Sequence, residues 1–469
     1  MPKLIVLGGG MCGLISAMLL ANDGHAVTVL ERDSMGPPDD VEEAWSHWER
    51  RGVGQFRMLH YLQPRFRREI DQHLPELAAK MDGLGAIRHQ PTAVLPAELT
   101  GGVRPGDEQF TALTGRRPML ETAVGRLAVS TPGLTVRRGV AVGGFVTGPS
   151  VTVGVPHVTG VRTESGEELH ADLVVDATGR RSALPRFLED ISARPPREES
   201  EDSGLVYYGR HFRSDDGSVP QMRGPVLVNA GTISTLTLPA DNGTWGLGIL
   251  AAGGDKRLRP LKDPDCWERV WRAVPVTEQW LVGEPISDGV AVLANVPDRI
   301  RTFVLDGVPV ASGVLAVADS WACTNPALGR GISIGLLHAL ALRDTVRSTG
   351  LDDPIALAVA FHDVTTSTLE PWYRATVQVD RGRLAEMHAL AQRGEFASDD
   401  PQVAIPQAFY RGAWRDPDLL RAFLEVATLL ATPNDVMARP GIFDKVLEHA
   451  EGGNPFEMPT RDELVALVA

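Results

Sequence analysis

The sequence predicts an α/β fold that opens on a nucleotide-binding unit, continues into an antiparallel sheet and ends in helices. Three observations predict it. Residues 4–31, "LIVLGGGMCGLISAMLLANDGHAVTVLE", read as strand, Gly-rich turn, helix, strand and acid. Residues 205–252 hold the runs "LVYYGRHF", "GPVLVNAG", "ISTLTLPA" and "TWGLGILAA", strand-like and separated by turn residues. From 350 to 469 the pattern is helical, with Pro371, Pro401, Pro417 and Pro440 as interruptions.

The opening unit gives each glycine a task. "KLIVLGG" is a short β-branched run suited to a buried parallel strand. Gly8 permits the tight turn after it, Gly10 lets backbone approach a pyrophosphate, and Gly13 allows close packing of helix on strand. Leu14, Ala17, Met18 and Ala21 give the helix an apolar face, and its N-terminus offers free N–H groups to phosphates. Glu31 closes the second strand, where its carboxylate would accept ribose hydroxyls, with Arg32 beside it. The spacing predicts a dinucleotide and leaves FAD and NAD both open.

Composition narrows the class. At 469 residues and 43% hydrophobic, the chain can bury a large core in two or three structural units. A formal net charge of -14 argues against a general nucleic-acid or anionic-membrane binder, while allowing a local basic pocket. Cys12, Cys266 and Cys323 are too scattered for a disulfide framework and form no CxxC pair, which favours a reducing, cytoplasmic setting. The N-terminal apolar run is broken by glycines and leads to a charged Glu31-Arg32-Asp33, so it does not read as a signal peptide. No other apolar run is long enough to span a bilayer.

Two later segments bear on the cofactor. In 168–188, an apolar strand runs into Asp176-Ala177-Thr178-Gly179 and then Arg180, Arg181 and Ser182. In 313–344, a strand ends at Asp319, and the turn from Asn325 to Gly331 leads into a long apolar helix. That is a second Gly-preceded helix N-terminus, suited to another anionic or dipolar group. No second strand–GxGxxG–helix unit for NAD is present.

With these residues the chain resembles the flavoprotein monooxygenases of the para-hydroxybenzoate hydroxylase superfamily, nearest the bacterial epoxidase and hydroxylase branch of polyketide pathways. The likeness covers roughly residues 1–350 and rests on four motifs in order: Gly8-x-Gly10-x-x-Gly13 with Glu31, then Arg50 to Gln55, then Arg117-Pro118-Met119-Leu120-Glu121, then Asp319 with Asn325-Pro326-x-x-Gly329-x-Gly331. One departure stands out: Ala318 occupies the place where the family has glycine before the aspartate.

The resemblance implies FAD as cofactor. It implies a Rossmann-like FAD-binding domain of the glutathione-reductase type from residues 1–80, 114–190 and 298–349, interleaved with an antiparallel-sheet substrate domain from 81–113 and 191–297. In 81–113, "TAVLPAEL" and "EQFTAL" look like short strands lent to the second unit, and Ser165-Gly166 is a turn signal in the first. Residues 350–469 would form a helical C-terminal region. Arg50 would reach the ribityl–phosphate region, Gln55 of the same segment would also bind the cofactor, and Arg117 would touch FAD from a helix start. Asp176 and Gly179 belong to a motif tied to FAD and NAD(P)H, while Asp319, Pro326, Gly329, Gly331 and Ile332 would hold the ribityl chain and face the isoalloxazine. His60 is a candidate for orienting flavin or substrate, with a structural histidine as the plainer reading.

The implied reaction is insertion of one oxygen atom from O2 into a hydrophobic small molecule, by epoxidation or hydroxylation, in secondary metabolism. Electrons would come from NADPH or NADH, directly or through a flavin reductase. Such chemistry needs no nucleophilic triad and no metal, and the sequence offers neither. Tyr207, Tyr208, Trp245 and Trp280 are candidates for the pocket or for plain core. Competing readings are a reductase of prenyl-type double bonds, a flavin-dependent halogenase and a non-catalytic binder of lipidated partners. The halogenase Trp-x-Trp-x-Ile-Pro stretch has only "TWGLGIL" as its nearest counterpart.

Overall fold

A computed structural model describes residues 1–287 and 289–469. In chain order, the elements that build the site are β1 (Lys3–Leu7), α1 (Met11–Asn22), β2 (Ala26–Glu31), α2 (Arg117–Ser130), β3 (Leu134–Arg138) and β4 (Leu173–Asp176). Next come β5 (Leu205–Arg213), β6 (Leu227–Ala230), β7 (Ile233–Ala240) and β8 (Thr244–Ala252). The chain then returns through β9 (Val314–Ala316) and the helices α3 (Gly331–Thr349), α4 (Pro354–Thr368) and α5 (Glu370–Arg393).

β9, β4, β1, β2 and β3 form a five-stranded parallel sheet in that order. All but Lys3 in β1, and every residue of β4, are buried, which is why these strands read as unbroken apolar runs. α1, α2 and α3 cover one face, where Leu4, Ile15, Met18, Leu120 and Leu336 share a core. The sheet is thus assembled from three separated stretches of chain, and its carboxyl ends all point at one crevice, where ligands gather in open α/β sheets.

β6, β7, β8 and β5 make an antiparallel sheet extended by Glu284–Pro285, with Ala291–Leu293 also paired to β5. Its far face is sealed by a core that includes Trp245, Trp267, Trp271 and Trp280. A third, three-stranded antiparallel sheet, 142–170, precedes β4, with the expected turn at Ser165-Gly166.

The strands expected in 81–113 are only partly present. "TAVLPAEL" is helical at Pro91–Val94 and Ala97–Thr100, because Pro91 sits at a first helical position where its missing N–H costs nothing. Ile87–His89 and Ala112–Thr114 are strands, and they pair with Tyr61–Leu62 rather than with the β5–β8 sheet. After residue 350 the chain is helical. Pro371, Pro401 and Pro417 lie in first turns, so they start helices rather than break them.

Candidate functional site

One cleft, of about 440 Å³, runs from the carboxyl ends of β1 and β2 to the near face of the antiparallel sheet. At its centre lies the turn between β1 and α1. Gly8 has φ +99°, and a Cβ there would stand 2.6 Å from the Ala177 carbonyl oxygen. A Cβ on Gly13 would stand 2.1 Å from the Gly8 carbonyl, so helix and strand touch only because that position is bare. Gly10 differs: a Cβ there would meet nothing within 4 Å. Gly10 lines the cleft and caps α1 with no side chain, leaving the first-turn N–H groups to whatever anion enters.

At the end beyond β2, Glu31 is buried. Its Oε2 accepts the Gly9 N–H at 2.8 Å and Arg50 at 3.2 Å, and its Oε1 accepts the Asp33 N–H at 2.9 Å. Arg50 lies among three carboxylates, bonding Glu121 at 2.5 Å and Asp33 at 3.2 Å besides Glu31. Burial works against the Arg50 cation, yet Glu121, Glu31 and Asp33 outweigh it and raise its pKa. Arg50 therefore stands at the Glu31 end of the cleft, which it lines. Arg32 is exposed and Gln55 half-buried, and both line the cleft.

Glu121 joins this end to the middle, since its other oxygen accepts Arg117 Nε at 2.7 Å. Arg117 Nη1 then donates to His60 Nε2 at 3.0 Å, and His60 Nδ1 lies 2.8 Å from the Met58 carbonyl. These partners fix the tautomer with hydrogen on Nδ1. Burial, followed by the nearby Arg117 charge, pushes the His60 pKa down to about 3. His60 is neutral at ordinary pH and holds Arg117 in place.

Opposite the glycine turn, Asp176 lines the cleft, but the protein satisfies both of its oxygens. Oδ1 accepts Thr178 N at 2.9 Å and Thr178 Oγ1 at 2.6 Å, and Oδ2 accepts the Ser182 hydroxyl. Asp176 shapes its own turn. Gly179, at φ +81°, donates its N–H to Ser320 Oγ at 2.9 Å, tying that turn to the Asp319 segment. Asp319 is the contrasting acid: among the described residues, no donor bonds its carboxylate, which lines the cleft beside Arg117 and Arg180. Burial lifts its pKa, against the pull of Arg117, Arg180 and Arg299.

Pro326, Gly329, Gly331 and Ile332 line the same end. Gly329, at φ +61°, bends the chain into α3, and Gln63 secures the bend by donating to the Leu328 carbonyl at 2.7 Å. Arg330 turns away from the cleft, toward the Val426 carbonyl at 2.9 Å and Thr376 at 3.1 Å. The N-terminus of α3 is left facing the cleft with no side-chain cap.

The antiparallel sheet closes the far side with Tyr207, Leu236, Gly248, Leu250 and Leu293, joined by Met58 and Leu59 from the loop before His60. None of these carries charge. Tyr207 is fixed by a hydrogen bond from its hydroxyl to Asn325 Oδ1. Trp245 and Trp280 are core instead, with Trp245 Nε1 bonded to the Trp280 carbonyl at 3.0 Å. Sequence reasoning missed Leu59, Leu236 and Val140–Val142, the last lining the Glu31 end. Alternation along β7 and β8 was the one available signal for the sheet residues.

The cleft suits a long, bent dinucleotide: a bare cradle at Gly10, an acid at each end and an apolar chamber past the second helix N-terminus. Among the described residues, no group of three or more His, Cys, Asp or Glu could hold a metal ion, and no helix is long and apolar enough to cross a membrane.

No family model matches the chain. It is similar to protein Rv3254 of Mycobacterium tuberculosis, at 28% identity over 446 residues, spanning 91% of this chain and 89% of that one. Among solved structures it resembles PqsL of Pseudomonas aeruginosa, described as "a probable FAD-dependent monooxygenase". The TM-score is 0.61 at 17% identity, covering 86% of this chain and 98% of that one. It also resembles the flavin-dependent brominase Bmp2, with TM-score 0.64 at 15% identity, covering 95% of this chain and 98% of that one. The fold of this chain is thus the one that flavin-dependent monooxygenases and a flavin-dependent halogenase share.

Proposed function

We propose that this chain is an FAD-dependent monooxygenase that inserts one oxygen atom of O2 into a neutral, hydrophobic small molecule. The observation that carries the reading is the single cleft joining the bare Gly10 cradle to the uncharged chamber of Tyr207, Leu236, Leu250 and Leu293, with the Asp319 carboxylate unbonded between them. Gly10 and the first turn of α1 would take the pyrophosphate, and Glu31 the adenosine ribose. Asp319 would take the ribityl hydroxyls, and the Pro326–Ile332 segment would lie against the isoalloxazine. Once bound, the flavin supplies two-electron reduction and the activation of O2.

The chain's own part is position and polarity. The N-terminus of α3 offers unpaired N–H groups to negative charge on reduced flavin. The chamber excludes water and gives an apolar substrate its main driving force for entry. A nicotinamide cofactor, used directly or through a reductase, is the proposed electron source. Halogenation is the second reading, favoured by the likeness to Bmp2. Against it, the only Trp of "TWGLGIL" is buried in the far core and does not reach the cleft.

The test is flavin content and oxygen fate in the purified protein. The expected result is a yellow protein whose flavin is bleached by NADPH, or by dithionite if a reductase is required. Reoxidation should then incorporate one 18O atom from labelled O2 into neutral apolar candidates. Brominated or chlorinated product with halide present would favour the second reading. Absence of bound flavin after reconstitution would overturn both.

A further inference from the structure

The chain leaves β9 through a backbone conformation that its residue does not favour. Ala318, buried, has φ +53°, in the left-handed region where a side chain costs energy and glycine is at ease. Its N–H has left the parallel sheet, and among the described residues no backbone acceptor takes it up. The acceptor is a side chain from 20 residues further on: His338 Nδ1, at 3.1 Å.

His338 is built for that one bond. It is fully buried on α3, stacked on Phe361 with centroids 4.9 Å apart at 12°, and meets Trp321 edge-on at 4.8 Å and 69°. Its Nε2 lies 3.1 Å from Thr365 Oγ1 on α4. Since Nδ1 accepts, Nε2 carries the hydrogen and donates to Thr365. Burial pushes the His338 pKa down to about 3, so the ring is neutral and Nδ1 stays an acceptor across the ordinary pH range. The turn is held on other sides too: Trp321 N–H bonds the Ala318 carbonyl at 2.9 Å, and a Cβ on Gly335 would stand 3.2 Å from the Ala318 methyl. The next residue is Asp319, which lines the cleft and whose carboxylate has no donor among the described residues.

We propose that His338 is a positioning residue for the cofactor: by accepting the Ala318 N–H it holds the left-handed turn that aims Asp319 into the cleft, with Thr365 selecting the tautomer that can accept. This rests on the reading of the cleft as an FAD site. A buried N–H without a partner and a side chain at positive φ both weigh against the turn, so without the acceptor the chain relaxes and Asp319 is misdirected.

The test is FAD affinity of the full-length apoprotein, by flavin fluorescence quenching, beside its melting temperature. H338F keeps the aromatic stacking and removes the acceptor, and the FAD Kd should rise about tenfold, the loss of one buried hydrogen bond to a fixed group. H338N places an amide oxygen near the Nδ1 position, so its Kd should stay near wild type although its melting temperature falls. A318G removes the strain, and in that background H338F should cost clearly less affinity. If H338F does not fold, T365V serves instead: it strips the partner from Nε2, frees the other tautomer and should raise the Kd severalfold.

Melting temperatures that fall in H338F and H338N alike, with the FAD Kd unmoved in H338F and T365V, would overturn the proposal and leave His338 as packing. D319A separates the two levels. Wild-type binding that D319A weakens and H338F and T365V do not would leave the FAD reading standing without this proposal. A wild-type protein that binds no FAD would remove both.

Discussion

Arg50→Ala should destabilise the apoprotein by about 3–5 kcal/mol at pH 7, the cost of leaving buried carboxylates without their cation. Arg50 is 8% exposed and bonds Glu31 and Asp33 at the end of β2 and Glu121 on α2, tying a distant acid to two neighbouring ones through one guanidinium. Lysine should not restore the loss, because a single ammonium cannot fork to three acids. The pH dependence gives the expectation its sign. Burial favours the neutral form of Glu121, but Arg50 and Arg117 outweigh burial and hold its pKa below the usual carboxylate range. A depressed folded pKa contributes stability that is present above the unfolded value, about 4.3, and is lost as pH falls through the folded value. In R50A much of that pull is gone and the burial remains, so the deficit should be largest at neutral pH and shrink below about pH 4 as the carboxylates take up protons. Urea melts of wild type and R50A at pH 7 and at pH 4 check this. A deficit that is small at pH 7, or equal at both pH values, would contradict the account.

The same cluster marks where sequence reasoning stops. The places of Gly8, Gly10, Gly13 and Glu31 at the cleft could be read directly, because they follow from local order: strand, turn, helix, strand. Asp319 was readable for a similar reason, as the acid at the end of a strand before a glycine-rich turn. Arg50 was picked out as well, but its partners were not, since Glu121 lies 71 residues away and reaches it only when α2 packs against the sheet. Asp176 looked like Asp319 in sequence, a strand-end acid before a glycine. What separates them is that Thr178 and Ser182 fold back on Asp176, whereas among the described residues nothing donates to the Asp319 carboxylate. Ala318 was visible only as a departure from the family's pattern. Its φ, and the histidine that compensates for it, are tertiary facts. In 81–113, "TAVLPAEL" looked like a short strand, but Pro91 at a first helical position decided the outcome.

Gly10 and Gly13 should fail in opposite ways when each is changed to alanine, as the different tasks the motif gives them require. At Gly13 the new methyl would stand 2.1 Å from the Gly8 carbonyl oxygen, and that oxygen belongs to backbone that cannot give way without moving β1 or α1. G13A should therefore lower the melting temperature of the apoprotein by more than 10 °C, or prevent folding. The cost is that of an overpacked core, with FAD binding lost as a consequence. At Gly10 the backbone has φ -79° and ψ 176°, which alanine adopts freely, and a Cβ meets nothing within 4 Å. G10A should thus leave the apoprotein as stable as wild type or more so, by about 0.4–1 kcal/mol through loss of unfolded-state entropy. The open space that receives this methyl is the cleft itself. If the pyrophosphate approaches the backbone there, the methyl excludes it, and the FAD Kd should rise by about two orders of magnitude, equivalent to about 3 kcal/mol. Melts with and without FAD read both effects in one experiment. G13A should lose stability in both conditions, whereas G10A should lose only the upward shift that FAD gives the wild type. A G10A protein that FAD still stabilises as it does wild type would move the pyrophosphate away from α1, and the assignment of this cleft end with it.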